Sequence, residues 1–361
     1  MKIILSGGGT LGPVTPLLAV AEAIKKAHPF CALLWVGTKH GPEKYLVEQT
    51  GVRYQAISAG KLRRYFSIKN IFDIFSLGTG FVQSYKLLKK EKPDLLITAG
   101  GFVSVPLHLV ASFLHIPTWV HQQDAVVGLA NRIMAARATL VTTALEENIS
   151  KIKLLGSRAR WIGNPVRDLR RDPDVARKQF GISDNEPVIL AMGGGTGALR
   201  INQLVLEALP LLPKTWHLIH LVGIERSAET CVKAQEIFSN YHVYNFLGPE
   251  MAEAYATADI VVARGGFATL TELASLKKAA ILIPISGTHQ EINVEPFAKA
   301  EAVIELDEVV ASGVLLAEKI KELVSAPDKC LLMGDRLNHV LPIASDEKII
   351  EIVNSLVSIS G

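Results

Sequence analysis

The densest chemistry in this chain lies in two stretches of its second half. Arg264-Gly265-Gly266-Phe267-Ala268-Thr269-Leu270-Thr271-Glu272 follows an apolar run that ends at Ala263. Its glycines allow a backbone turn, and Thr269 and Thr271 begin a helix whose first amides favour a phosphate. Glu272 can accept hydrogen bonds from the vicinal hydroxyls of a ribose, although the same residues also make an ordinary helix cap. Next comes Pro284-Ile285-Ser286-Gly287-Thr288-His289-Gln290-Glu291-Ile292-Asn293. Here Gln290 and Asn293 open a second helix at a spacing that puts them on one face. Their amide side chains suit sugar hydroxyls, because an amide both donates and accepts.

Each half of the chain also carries a strand that runs into a glycine-rich turn, Gly7-Gly8-Gly9-Thr10-Leu11-Gly12 and then Gly193-Gly194-Gly195-Thr196-Gly197. Such a turn is either an anion cradle or simply a tight strand-to-helix connection, and the residue types leave both open. Neither turn fits the dinucleotide spacing, and Val36-Gly37-Thr38 stands where an acidic residue would hold an adenosine ribose. Asp172-Pro173-Asp174 resembles a metal-binding pair of carboxylates, but its polar surroundings read as a solvated loop or helix start. Cys31, Cys231 and Cys330 lie far apart, with neither a CxxC pair nor histidines at metal spacing. That usage points to a reducing compartment without disulfides or zinc. No metal and no cofactor enters the chemistry these residues suggest.

These side chains need a scaffold, and the hydrophobic pattern supplies one. Lys2–Ser6, Ala32–Gly37, Asp94–Thr98, Thr118–Gln122 and Leu140–Thr143 read as buried strands, with helices over Pro16–Lys26, Glu43–Thr50, Asn70–Lys90 and Leu129–Ala136 between them. The pattern restarts with strands at Val188–Met192, His217–Val222, His242–Phe246, Ile260–Ala263 and Ile281–Ile285. Helices at Ile201–Leu209, Ala252–Ala258, Thr269–Ser275 and Val294–Ala300 separate these. Strands this apolar, alternating with helices, predict parallel sheets covered on both faces. The fold class is therefore α/β, with two doubly wound domains over 1–163 and 164–340. A terminal helix in 341–361 is expected to return to the first domain. The seam falls near Gly163-Asn164-Pro165, and ligands of such sheets sit at the carboxyl ends of strands.

Composition narrows the partners. Among 361 residues 49% are hydrophobic, enough for two cores, and a net charge of +3 is too small to argue for nucleic acid. The opening MKIILSGGG reads as a first strand rather than a signal peptide. The longest apolar stretch, Val103–Val120, is interrupted by Pro106, His108, His115 and Pro117, so no bilayer-spanning segment is expected. Lys61-Leu62-Arg63-Arg64-Tyr65-Phe66 precedes Ile71, Phe72, Ile74, Phe75, Leu77 and Phe81. Basic residues beside bulky apolar ones suit an anionic membrane surface, while core packing would also explain the apolar positions.

Taken in order, GGGTLGP, GGFVS, HQQDAVVGLANR, GNPVR, GGGTGALRINQ, RGGFATLTE and HQEIN resemble the motifs of the bacterial peptidoglycan N-acetylglucosaminyltransferases, the MurG family. The resemblance covers essentially the whole chain. It implies the GT-B fold and an inverting transfer of GlcNAc from UDP-GlcNAc to lipid I, giving lipid II. It also implies a peripheral protein on the cytoplasmic face of the plasma membrane. By position, Thr10, Leu11 and Gly12 would face both substrates and Asp124 the donor sugar. Arg167 and Gly195 would stand at the diphosphate, and Leu247 or Gly248 at the uracil. Phe267, Ala268, Thr269, Leu270, Thr271 and Glu272 would hold the ribose and phosphates, and Gln290 and Asn293 the GlcNAc hydroxyls. Two departures matter. The family's first loop ends in a histidine, where this chain has Pro13, and Gln122 and Asp124 replace a glutamate and an asparagine. Asp124 either inherits the role of base or only binds a substrate hydroxyl or turn amides. Other readings are a related transferase of UDP-galactose or UDP-glucose to a lipid acceptor, or a nucleotide-sugar-binding homologue without chemistry. His121–Arg132 and Gln290 favour the peptidoglycan enzyme over the former, and only Pro13 suggests the latter.

Overall fold

The computed structural model describes the chain apart from residues 10–11, 42, 59–68, 157, 183–184, 195–196, 225–233, 236–237, 249 and 359–361; for residues 69–77 it describes the backbone alone. The chain divides into two units, Met1–Arg167 with Pro342–Gly361, and Asp168–Leu341.

The first unit alternates β1 (Lys2–Ser6), α1 (Val14–Ala27), β2 (Ala32–Gly37), α2 (Glu43–Gln49), β3 (Arg53–Ala56), α3 (Lys69–Glu91), β4 (Leu95–Thr98), α4 (Ser104–Phe113), β5 (Thr118–Gln122), α5 (Leu129–Ala135), β6 (Leu140–Thr143), α6 (Asn148–Lys153) and β7 (Ala159–Trp161). Its strands form one parallel sheet in the order β3-β2-β1-β4-β5-β6-β7. Ile3, Ile4 and Leu5 are fully buried because helices cover both faces, which is why their run is continuously apolar rather than alternating.

The second unit follows the same plan: α7 (Pro173–Gln179), β8 (Val188–Met192), α8 (Leu199–Ala208), β9 (His217–Leu221), β10 (Tyr241–Tyr244), α9 (Met251–Thr257), β11 (Ile260–Ala263), α10 (Phe267–Leu276), β12 (Ala279–Leu282), α11 (His289–Lys299), β13 (Ile304–Glu305), α12 (Gly313–Val324) and α13 (Pro327–Val340). Its parallel sheet runs β10-β9-β8-β11-β12-β13. The last helix, α14 (Asp346–Val357), belongs to the first unit, where Ile349, Ile352, Val353 and Leu356 join Leu17, Val20 and Ile24 of α1 in one core. In each sheet the strand order reverses beside the first strand of the unit, between β1 and β4 and between β8 and β11. Both glycine turns leave the sheets at these switch points, where ligands of doubly wound folds collect.

Several elements differ from the sequence reading. α4 forms inside the interrupted apolar stretch because Pro106 sits in its first turn, where no amide is needed for the helix ladder. β12 starts at Ala279 rather than Ile281, since Ala279 pairs with Ile260 and the ladder ends before Pro284, which has no N–H. Asp172 accepts a hydrogen bond from Val175 N (3.1 Å) and caps α7. Lys61–Phe66 lies outside the described residues, as do the side chains of Ile71, Phe72, Ile74, Phe75 and Leu77, while Phe81 packs on the core around Ile4, Leu34 and Leu107. Among the described residues, no helix is long and apolar enough to cross a membrane.

Three histidines are buried in these cores as neutral rings. Burial pushes His108 and His121 down to about 4 and His220 down to about 3, from 6.5. The unfolded chain takes up protons below pH 6.5 where the native chain does not. Stability is thus complete above about pH 6.5 and drains away as the pH falls towards 4. We predict that the urea midpoint falls between pH 7.5 and 5.5, each histidine contributing about 1 kcal/mol at the lower pH. An unchanged midpoint would mean that these rings are charged in the native chain.

Candidate functional site

In the second unit, β11 delivers Arg264 and Gly265 directly into α10. The helix begins at Gly266, whose backbone is extended and which offers no side-chain cap. Leu270 N is the first amide to enter the helical ladder, bonding Gly266 O at 3.0 Å. The amides of Phe267, Ala268 and Thr269 precede it, so they lie outside the helix's own pairing and suit an anion. Gly265 is required by a close approach: a Cβ there would lie 2.5 Å from Val294 Cγ2 and 3.0 Å from Gln290 O. The two ligand-type segments of the sequence are therefore packed against each other, with α11 lying on the turn that begins α10.

Arg264 joins them. It is 9% exposed and donates from Nη1 to the carbonyls of Ile283 (2.9 Å) and Pro284 (3.4 Å), and from Nη2 to Glu308 Oε1 (2.5 Å). Burial raises the Glu308 carboxyl, but the Ser286 amide and the Arg264 guanidinium outweigh it and hold the group below its usual range. Glu308 Oε2 accepts from Ser286 N (3.0 Å), Glu291 Oε2 from Gly287 N (3.0 Å), and Thr288 caps α11 by accepting from Gln290 N (3.3 Å). The Ser286–Thr288 turn is thus built by two carboxylates and a hydroxyl.

The predicted residues fall on two sides of α10. Ala268, Thr269 and Glu272 are half-buried, whereas Phe267, Leu270 and Thr271 point inward, the Thr271 hydroxyl bonding Phe267 O (2.8 Å). Glu272 is one turn from Ala268 on the same face, and Tyr255 Oη donates to its Oε2 at 2.9 Å. Gln290 is half-buried with Oε1 accepting from Ile285 N (3.1 Å), and Asn293 is fully buried. Leu247 is buried beside an exposed Phe246, and the amide of Gly248 is taken by Glu250 Oε2 (3.2 Å). Gly195 lies outside the described residues.

The first unit gathers a second polar cluster at the carboxyl ends of β1, β4 and β5. Pro13 stands at the start of α1 with the φ of −67° its ring imposes, so it begins the helix and offers no titratable group. Gly12 is half-buried; Thr10 and Leu11 lie outside the described residues. Asp124 is half-buried in the loop after β5, and amide side chains hold its backbone: Gln122 Nε2 (2.7 Å) and Asn148 Nδ2 (2.9 Å) both donate to Asp124 O. Asn131 Nδ2 in turn donates to Gln122 Oε1 (2.6 Å). Gln122 therefore donates and accepts at once, which a glutamate in its place could not do as an anion. Trp119 Nε1 donates to Thr142 Oγ1 (2.7 Å); because Asn164 Oδ1 can only accept, His121 donates to it from Nε2 (2.6 Å), and the neutral ring accepts the Thr142 hydroxyl proton at Nδ1 (2.8 Å). Arg167 is exposed at the end of this unit. The sequence reading missed Glu308 and Tyr255, each a lone polar residue with no local pattern; Arg264, polar and hard against a buried strand, was the one available signal.

The description "Glycosyltransferase family 28 N-terminal domain" matches residues 3–143, and "Glycosyltransferase family 28 C-terminal domain" matches 188–344. A protein of Clostridium perfringens (strain SM101 / Type A), named UDP-N-acetylglucosamine--N-acetylmuramyl-(pentapeptide) pyrophosphoryl-undecaprenol N-acetylglucosamine transferase, is 33% identical over 354 residues, covering 95% of this chain and 97% of that one. A protein of the same name from Clostridium kluyveri is 35% identical over 328 residues, 89% and 91% of the two chains. Among solved structures, MurG of Acinetobacter baumannii has a TM-score of 0.75 at 23% identity over 98% and 99% of the two chains, a likeness of fold.

Removing Arg264 would leave Glu308 Oε1 and the carbonyls of Ile283 and Pro284 without their guanidinium donor. Arg264→Met is expected to destabilise the second unit by about 3 kcal/mol, read as a lower urea midpoint. A parental midpoint would show that the pair does not hold the two turns.

Proposed function

Because this chain belongs to glycosyltransferase family 28, we propose that it moves GlcNAc from UDP-GlcNAc to the 4-hydroxyl of the N-acetylmuramyl residue in lipid I. The product is lipid II, and the step belongs to peptidoglycan synthesis. The observation that carries this reading is the near full-length match to enzymes so named, 33% identical across 95% of the chain. The fold is GT-B, two doubly wound α/β units.

The second unit, on this reading, takes the donor. The amides that begin α10 receive the diphosphate, together with Gly195, and Glu272 receives the ribose hydroxyls. Leu247 or Gly248 takes the uracil, and Gln290 and Asn293 the sugar. In support, Ala268, Thr269 and Glu272 share the accessible side of α10, while Gly265 packs this turn directly on α11. The first unit takes the acceptor, with Thr10, Leu11 and Gly12 in its glycine turn. As UDP leaves, positive charge develops on the anomeric carbon and negative charge on the departing phosphate. Helix-start amides fixed beforehand stabilise the latter without reorganising. The acceptor hydroxyl attacks from the opposite face and inverts the configuration. Its proton goes to Asp124, the carboxylate nearest by motif to the position of the missing loop histidine.

Peripheral docking on an anionic membrane at the cytoplasmic face, through Lys61–Phe81, belongs to the same proposal. The basic and aromatic residues of that segment and a lipid-linked acceptor support it.

Incubation with labelled UDP-GlcNAc and lipid I should give labelled lipid II, with UDP-galactose and UDP-glucose failing to compete at equal concentration. No product from the parent chain would overturn the transferase reading. In the same assay Asp124→Asn should lower kcat by about 100-fold with donor affinity unchanged; a parental kcat would place the base elsewhere.

A further inference from the structure

Glu43, the first residue of α2, is a fully buried carboxylate that no sequence motif flagged. Among the described residues no lysine or arginine pairs with it. Among the described residues three donors hold it instead. Thr38 N (2.7 Å) and Thr38 Oγ1 (2.6 Å) donate to Oε1, and Gly9 N (3.2 Å) donates to Oε2, while Tyr54 Oη, 3.3 Å from Oε1, gives its proton to Thr38 O (2.6 Å). Burying a carboxylate without a counter-charge is costly, so its place among these donors must be well determined.

That place is the back of the first glycine turn. A Cβ on Gly8 would fall on the Glu43 carboxylate itself, so the second glycine of the turn is required by this side chain. On the other side, a Cβ on Gly101 would lie 2.5 Å from Gly8 O, which presses the GGFVS turn after β4 onto the same peptide. Trp35 Nε1 fixes the neighbouring carbonyl, Gly7 O, at 3.1 Å. The turn is clamped from three directions at residues 7–9, and among the described residues only Glu43 supplies charge there. Since Gly9 N is spent on the carboxylate, Glu43 also decides which amides of the turn remain for a substrate.

We propose that Glu43 is a positioning residue for the acceptor. It fixes the β1–α1 glycine turn in the shape that receives the sugar end of the acceptor, acting through Gly8 and Gly9 without touching substrate. This rests on the transferase reading above. Preorganisation of this kind acts on the acceptor half of the reaction and leaves the donor site of the other unit alone.

The test compares Glu43→Gln, which keeps size but loses the charge and one acceptor, with Gly8→Ala, which displaces the carboxylate from the other side. Each should lower kcat/KM for lipid I by about tenfold or more, while the KM for UDP-GlcNAc and the affinity for UDP stay within about twofold. The double variant should lose no more than the worse single one, because both break the same contact. Amide exchange at Gly9, followed by mass spectrometry, should be slow in the parent and faster in both variants, whether or not the parent makes product. Parental kcat/KM for lipid I in Glu43→Gln, equal losses for donor and acceptor, or unchanged exchange at Gly9 would each overturn the assignment. Should Glu43→Gln fail to fold, Gly8→Ala decides alone. A parent that makes no product instead overturns the transferase reading, and with it the acceptor role of Glu43.

Discussion

A single guanidinium holds the second unit's two candidate ligand turns in register. Arg264 stands at the carboxyl end of β11, spans to the carbonyls just after β12, and meets Glu308, which grips the Ser286 turn. A planar fork with fixed donor directions can tie three chain segments at once, which a lysine cannot. Because the pair is mostly desolvated, its strength depends on every partner being present. The start of α10 and the start of α11 therefore behave as one rigid surface. Catalysis of a displacement with a diphosphate leaving group needs such rigidity, since donors that must reorganise during the reaction lose most of their benefit.

The first unit reaches the same end with different chemistry. Its loops are braced by side-chain amides and a buried carboxylate rather than by an ion pair. Gln122, Asn131 and Asn148 fix the backbone at Asp124, and Glu43 fixes the glycine turn after β1. His121, in a single tautomer, ties β5 to Asn164, where the chain is about to leave the unit and pairs with the returning segment at Ile343. Pro13 and Gln122 are coherent in this setting. Pro13 begins α1, and Gln122 makes bonds that demand both a donor and an acceptor.

What the sequence made legible follows from these interactions. Strands such as β1, β8 and β11 announce themselves because both faces are buried, so their central residues form continuous apolar runs. The short edge strand β3, with alternating exposure, carries no such run and was missed. The segment 267–272 was recognisable as a ligand-type helix start. Its sidedness, with Thr271 inward and Glu272 outward, is set by packing against the sheet, which local composition does not encode. The bracing residues were the hardest to see. Glu308 acts 44 residues from Arg264 and Glu43 acts 34 from Gly9, and each is one charged residue among many until the fold brings it home.

The central claim is that the nucleotide is held on the surface Arg264 organises. Amide hydrogen exchange of the whole chain, with and without saturating UDP, tests it directly. The account predicts that UDP slows exchange across residues 264–272 and 286–293 and leaves the turn at residues 7–9 unchanged. Protection confined to residues 7–9, with no change at the start of α10, would contradict it.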